Sequence, residues 1–435
     1  MTRADRIYHC EFALVDGVFA EQVRLKVVDG LLVEAVPGVL RQPGDVALGV
    51  VVPGFVNAHS HAFHRELRGR THADGGDFWR WRHRMYETAA GLTPSSYRDL
   101  AEGVFTEMRD AGYTAVGEFH YVHHDLRGEP YPEHAMELAL ADAATAAGIR
   151  LVLLDACYLR GGVGQPLTDE QRRFGDPDVY AWLERWHALR DVLASRGRGL
   201  VTLGAAVHSV RAVSRRDLDV IADGLPPEVP LHVHVSEQPA ENQACLDAYG
   251  LTPTGLLAAH GLLSQRFSAV HATHLTAEDI RLLGAANATI VMCPTTEADL
   301  GDGIGPAPEL AAAGASLAIG SDQHVVIDPW EEMSRLELDQ RLRLQRRGIF
   351  TPDALWRTGT TGGHHCLGLS KVRRRSPGLG LQEPFDAVEI NPTTARTRGV
   401  ELHQLPLAAR AADVTATIVD GTLTRPEQPG DSSRC

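Results

Sequence analysis

Disulfide chemistry has little to work with in this chain. Its six cysteines (Cys10, Cys157, Cys245, Cys293, Cys366 and Cys435) are scattered over 435 residues without a CxxC pair. That spacing excludes a disulfide-stapled scaffold and fits reduced thiols in a cytoplasmic protein. No apolar run approaches the roughly 20 residues a membrane helix needs, and the start Met1-Thr2-Arg3-Ala4-Asp5-Arg6 lacks the apolar stretch of a signal peptide. We therefore expect a cytoplasmic protein with no membrane partner. Positive charge is also scarce: 42 Lys and Arg against 56 Asp and Glu leave a formal net charge of -14, which repels nucleic acids and anionic membranes at long range. An acidic small molecule stays admissible, because a few buried arginines can make one pocket locally positive. Solenoid repeats and low-complexity tracts are missing, and Arg373-Arg374-Arg375 reads as a solvated loop.

What the chain does have is 44% hydrophobic residues, enough for a large core and a smaller accessory domain. Short apolar, β-branched runs alternate with helical patterns between residues 53 and 370. The runs are Gly54 to Ala58, Thr114 to Phe119, Arg150 to Ala156, Val201 to Val207, Leu231 to Val235, Ser268 to His271, Ala288 to Met292 and Ser316 to Ile319. Helix-spaced stretches such as Ser95 to Ala111 and Glu133 to Ala147 sit between them. Eight βα repeats predict an α/β fold, a (β/α)8 TIM-like barrel over 53–370. Residues 1–52 read instead as short strands broken at Asp16-Gly17, Asp29-Gly30 and Pro37-Gly38, and 371–435 as further short strands such as Phe385 to Ile390 and Val414 to Val419. The two termini are expected to join in a small β-sandwich domain beside the barrel.

Barrel enzymes carry reactive groups at the C-terminal ends of their strands. The first strand here ends in His59-Ser60-His61, where the two-residue period turns both imidazoles to one face. The fifth runs through His232-Val233-His234 to Glu237, the sixth ends at His271 and the eighth leads into Asp322. Any one of these histidines alone is more often a hydrogen-bonded core residue than a ligand. Their conjunction at four strand ends in the correct order makes His59, His61, His234 and Asp322 a candidate site for one divalent metal ion, most simply Zn2+. Such an ion acidifies water, and Glu237 is the candidate to shuttle protons between that nucleophile and a leaving nitrogen. His271 is placed to orient or polarise the nucleophile, and Asp322 to hold its proton as well as metal.

Pro53-Gly54-Phe55-Val56-Asn57-Ala58-His59-Ser60-His61, with His234-x-x-Glu237, His271 and Asp322, resembles the deaminase branch of the amidohydrolase superfamily over nearly the whole chain. Binuclear members use a carbamylated lysine on the fourth strand; Val201 to Val207 contains no lysine, so the resemblance implies a single metal. The runs Phe78 to Arg82, Glu118 to Asp125, Ala206 to Arg211 and His232 to Gln238 resemble the formimidoylglutamate deiminase family in particular. Carried over by position, that resemblance implies that Arg82, Tyr121, His208 and Arg211 hold the carboxylates of a glutamate moiety. Guanidinium groups suit that task by bidentate, charge-assisted hydrogen bonds. Where many members have Ala-Phe-Gln, this chain has Ala62-Phe63-His64, so His64 must donate or accept in place of the glutamine.

The expected activity is hydrolysis of N-formimino-L-glutamate to N-formyl-L-glutamate and ammonia in histidine degradation, by a homodimer of the kind common in the superfamily. An aminohydrolase of a purine, pterin or other amidine-bearing ring shares the metal residues but makes poor use of two arginines. A non-catalytic barrel binding protein is a third reading, set against ligands none of which is missing. Trp79 and Trp81 are expected to pack, Arg80 and Arg84 to face solvent, His120, His123 and His124 to be loop or supporting residues, and His364-His365 to be structural.

Overall fold

The computed structural model describes residues 5–71, 78–197, 199–370 and 377–426. The Arg373-Arg374-Arg375 run, Cys435 and the side chain of Trp79 lie outside the described part. Four strands open the chain: β1 (Arg6–Val15), β2 (Val18–Val28), β3 (Leu31–Val36) and β4 (Val46–Pro53). The barrel strands follow as β5 (Phe55–Ser60), β6 (Tyr113–His120), β7 (Arg150–Cys157), β8 (Val201–Val207), β9 (Leu231–Val235), β10 (Phe267–His271), β11 (Thr289–Met292) and β12 (Ser316–Ile319). All eight expected runs are strands, with ends shifted by at most two residues. Every residue of β5, β6, β9, β10 and β11 is buried, as parallel strands covered on both faces require.

The eight strands pair in parallel and in chain order from β5 to β12. The ring closes where β12 lies against β5, through a parallel bridge between Ser60 and Asp322. His61 N–H donates to Asp322 O at 3.1 Å and Asp322 N–H to His59 O at 3.0 Å. Closure thus welds the first and last strand ends together at their functional residues. Two glycines permit the approach. A Cβ on Gly320 would stand 2.8 Å from His59 Cβ, and one on Gly54 would stand 2.1 Å from Thr114 Oγ1.

Three of the helices between strands start on side-chain caps that satisfy first-turn N–H groups. Thr93 caps the helix Pro94–Asp110, Asp178 caps Val179–Ser195 and Thr276 caps Ala277–Ala285. Below the barrel, Phe55 lies edge-on to Trp330 at 4.7 Å and stacks on Trp356 at 6.1 Å, filling the end of the core away from the reactive groups.

The termini meet in one seven-stranded sheet, in the order β15-β14-β13-β4-β1-β2-β3, where β13 is Ala387–Ile390, β14 Val414–Val419 and β15 Thr422–Thr424. Tyr8, Cys10, Val23, Leu25 and Phe385 form its own small core. Arg150 at the start of β7 reaches Asp386 through Nε and Nη2 at 3.1 and 3.3 Å, tying the two sheets together.

Candidate active site

Three imidazoles converge at the top of the barrel. His59 Nε2 is 3.1 Å from His234 Nε2, and His61 Nε2 is 3.4 Å from the same atom. Asp322 Oδ1 lies 3.4 Å from His59 Nε2 and 3.6 Å from His61 Nε2. The far ring nitrogens settle the tautomers: His61 Nδ1 faces Phe119 O at 2.7 Å and His234 Nδ1 faces His208 O at 2.8 Å. Each Nδ1 must carry a proton to meet a carbonyl oxygen, so in the neutral rings both Nε2 atoms present lone pairs to each other. Burial and the neighbouring histidines push His59, His61 and His234 well below the usual imidazole range. Buried, neutral, mutually facing lone pairs repel unless a cation lies among them. Ligand atoms about 2.0–2.1 Å from a tetrahedral zinc are about 3.3 Å apart, which matches the observed spacing. The residues present therefore fit one divalent ion.

The strand ends turn sharply to achieve this. Ser236, His271 and Asp322 have φ of 53°, 66° and 41°, left-handed conformations that non-glycine residues adopt at a cost of about 1–3 kcal/mol each and that cluster at functional sites. His271 is held from behind by Glu297, whose Oε1 is 3.3 Å from Nδ1 and also accepts Cys293 N–H at 2.9 Å. Its Nε2 faces outward, 3.8 Å from both Glu237 Oε1 and Asp322 Oδ2. Burial alone would lower this imidazole, but Glu237, Glu297 and Asp322 raise it to about 10. Burial raises the Glu237 carboxyl, against the opposing pull of His271 and Arg211.

Behind the metal-ligand candidates a second buried shell fixes their backbones. Asn57 clasps Ser321 by two hydrogen bonds, Nδ2 to Oγ at 2.6 Å and Ser321 N–H to Oδ1 at 3.0 Å. Ser321 Oγ meets His324 Nδ1 at 2.9 Å, and His324 Nε2 meets Ser60 Oγ at 3.1 Å. Ser60 also donates to Glu118, which accepts Ala62 N–H at 2.7 Å. Burial pushes the Glu118 carboxyl up to about 8.

A cavity of about 590 Å³ opens beside this cluster, lined on one side by His61, His234, Glu237, His271 and Asp322. The expected carboxylate-binding residues Arg82, Tyr121, His208 and Arg211 line it too, as does His64. His64 Nε2 is 3.0 Å from Tyr121 OH, and burial pushes its imidazole down to about 3, so it stays neutral. Trp81, expected to be a packing residue, packs against the core and also lines the cavity, its ring 5.2 Å from that of His64. The helix Phe78–Ala90 carries Trp81 and Arg82 over the barrel mouth one residue apart, which brings both to the same opening.

Residues that sequence reasoning passed over complete the wall. Tyr86 and Tyr158 line the cavity, Arg82 Nε donates to Tyr86 OH at 2.6 Å, and Gln171 holds both phenols from behind. Glu241 is 3% exposed, neither of its carboxylate oxygens has a hydrogen bond, and its nearest cation is Arg211 Nε at 3.9 Å. Burial raises Glu241 to about 7, with Arg211 opposing. Only Tyr86 carried a signal, four residues after Arg82 on the same helix face. His123 and His124 support the wall through a buried ion network: His123 Nδ1 lies 2.9 Å from Glu137 Oε1, His124 Nε2 lies 3.4 Å from Asp176 Oδ1, and Arg185 links Glu137, Asp155 and Asp176. His120 adjoins it, with Nε2 3.6 Å from Glu137. His120, His123 and Glu137 are near enough to share an ion, but the Arg185 guanidinium, 3.3 Å from Glu137, already supplies the positive charge.

Residues 50–378 match the Amidohydrolase family. A formimidoylglutamate deiminase from Pseudomonas aeruginosa is 38% identical over 371 residues, covering 82% of this chain and 81% of that protein. A 5-methylthioadenosine/S-adenosylhomocysteine deaminase from Haloquadratum walsbyi is 26% identical, covering 87% and 80%. Among solved structures, an amidohydrolase from Brucella melitensis superposes with a TM-score of 0.88 at 34% identity, covering 96% of this chain and 94% of that one.

Proposed function

The chain belongs to the amidohydrolase family and is a hydrolase of C–N bonds, and from that premise we propose that it converts N-formimino-L-glutamate to N-formyl-L-glutamate and ammonia. The observation that carries this reading is the composition of one cavity wall: Arg82, Arg211, Tyr86, Tyr158 and His208 face the same space as the imidazole cluster. Two guanidinium groups and two phenols are donors for anions, and a substrate with two carboxylates uses them all.

His59, His61, His234 and Asp322 would hold one divalent ion, taken here as Zn2+, which when bound acidifies water and polarises the C=N group. Glu237 accepts one proton from the attacking water and passes it to the terminal nitrogen, leaving a hydroxyl and an amino group on the former formimino carbon. Asp322 takes the hydroxyl proton, which Glu237 relays to that amino group as the C–O bond becomes the formyl C=O and the C–N bond breaks to release ammonia. His271, braced by Glu297, directs Nε2 at the space between Glu237 and Asp322 and orients the nucleophile. Neutral His64 offers one nitrogen to Tyr121 and keeps its ring beside His61, where a hydrogen bond to the formimino group falls to it. The same resemblance implies a role in histidine degradation and a homodimeric state, and the scattered cysteines support a cytoplasmic site.

The similarity to a methylthioadenosine deaminase favours a second reading, hydrolysis of a ring amine. A flat neutral heterocycle leaves Arg82 and Arg211 desolvated without an anion, which costs affinity. Ammonia release from N-formimino-L-glutamate beside guanine, adenosine and cytosine separates the two. Turnover of the first alone supports the dicarboxylate reading, and turnover of a nucleobase in its place rejects it.

A further inference from the structure

Gln171 touches nothing that reacts, yet its two amide hydrogens are both committed at the cavity wall. Nε2 donates to Tyr86 OH at 2.9 Å and to Tyr158 OH at 3.0 Å. The amide cannot turn over, because Oε1 accepts Thr168 N–H at 3.0 Å in a capping box that starts the short helix Asp169–Phe174. The side chain is 1% exposed. The Tyr86 oxygen receives a second hydrogen, from Arg82 Nε at 2.6 Å.

Counting hydrogens fixes what such a cluster can bind. The phenol oxygens accept from Gln171 and Arg82, so each phenol has its own O–H left to give. Even if one hydroxyl donates to the other, one phenolic hydrogen is left to give at the cavity wall, which Arg82 also lines. A phenolic donor beside a guanidinium suits the acceptor oxygens of an anion.

We propose that Gln171 is a specificity-determining positioning residue, which fixes Tyr86 and Tyr158 as hydrogen-bond donors beside Arg82 to one carboxylate of the substrate. This rests on the dicarboxylate reading above and adds to it how the carboxylate is told from an amide. An amide presents N–H groups as well as an oxygen, and a wall that can only donate has no acceptor for them.

Gln171→Glu is the sharp perturbation. The carboxylate keeps the shape and still accepts Thr168 N–H, but its other oxygen draws the phenolic hydrogens to itself and adds a negative charge beside the subsite. Binding of the product N-formyl-L-glutamate and of its two monoamides to the zinc-loaded protein is measured by calorimetry. The substitution is expected to weaken the dicarboxylate about 100-fold or more, the loss of two hydrogen bonds to a charged group. One monoamide, the one lacking the carboxylate that docks here, should bind wild type and variant equally. Tyr158→Phe should weaken the dicarboxylate in the wild type and do nothing further in the Gln171→Glu background, a non-additivity that general unfolding does not give. If wild type turns over N-formimino-L-glutamate while Gln171→Glu binds N-formyl-L-glutamate within about threefold, the inference fails and the functional reading stands. If wild type itself neither binds nor turns over these compounds, both fail together.

Discussion

Exchanging Arg211 for Met tests the carboxylate wall and its cost at once. Arg211 faces the cavity on one side and Glu241 on the other, with Nε 3.9 Å from Glu241 Oε2. Methionine keeps much of the stem and removes the charge. A substrate carboxylate then loses a bidentate partner; hydrogen bonds to charged groups contribute about 1.5–3 kcal/mol each, so two of them put the loss at about 3–6 kcal/mol. At 1.4 kcal/mol per decade that raises KM between about 100- and 20,000-fold. The same change removes the Arg211 charge from beside the buried Glu241, so its carboxyl, already raised to about 7 by burial, moves higher and binds a proton on folding. Stability of Arg211→Met should therefore fall as pH rises from about 5 to 8, where the unfolded chain releases the proton near 4.3. Adding Glu241→Gln should remove that pH dependence without recovering KM. Steady-state kinetics and urea denaturation of the single and double variants supply both readouts. An unchanged KM in Arg211→Met refutes the placement of a carboxylate on this wall.

Gly320→Ala puts a methyl group against His59, so we expect the strand closure at Asp322 to open slightly, stability to drop by about 1–3 kcal/mol and bound metal per chain to fall, as read by elemental analysis. Asp176 is buried, which alone raises its carboxyl, but Arg185 and His124 hold it far below the usual range. A depressed carboxyl contributes stability that is present above the unfolded value near 3.9 and is lost as pH falls through the folded one. Asp176→Asn should thus cost about 3 kcal/mol at pH 7, the low end for unpairing a buried ion because Arg185 keeps Asp155 and Glu137, and progressively less below about pH 4. Denaturation midpoints at both pH values check this, and a pH-independent difference contradicts it.

The barrel was legible because its strands are buried on both faces and read as continuous apolar runs, and because metal-ligand residue types recur at their C-terminal ends. His59 and His61 share a face by strand period alone, and His234, His271 and Asp322 stand where the fifth, sixth and eighth barrel strands stop. The cavity wall was less legible. Arg82, Tyr121, His208 and Arg211 came from resemblance, since nothing in their spacing marks them as neighbours. Tyr158 and Gln171 come from segments that only the tertiary fold brings together, and a buried glutamine on a short helix looks like any solvated one in sequence. Glu241 follows Glu237 by four residues, one helical turn, but its burial depends on how the helix Pro239–Tyr249 lies against Arg211. Trp81 packs as expected, but that it also lines the cavity depends on where its helix lies, a placement the helix's own residues do not encode.

The assignment of the proton path to Glu237 has a direct consequence for which C–N bond breaks. The measurement that tests it is proton NMR of zinc-loaded enzyme acting on N-formimino-L-glutamate, with Glu237→Gln as the comparison. The account predicts that wild type yields the formyl signal of N-formyl-L-glutamate with one equivalent of ammonia, and that Glu237→Gln slows this by about 100- to 10,000-fold, the range for removing a general acid–base, while still binding the product. Formamide and free glutamate, the products of cleaving the other C–N bond, or full activity in Glu237→Gln, would contradict it.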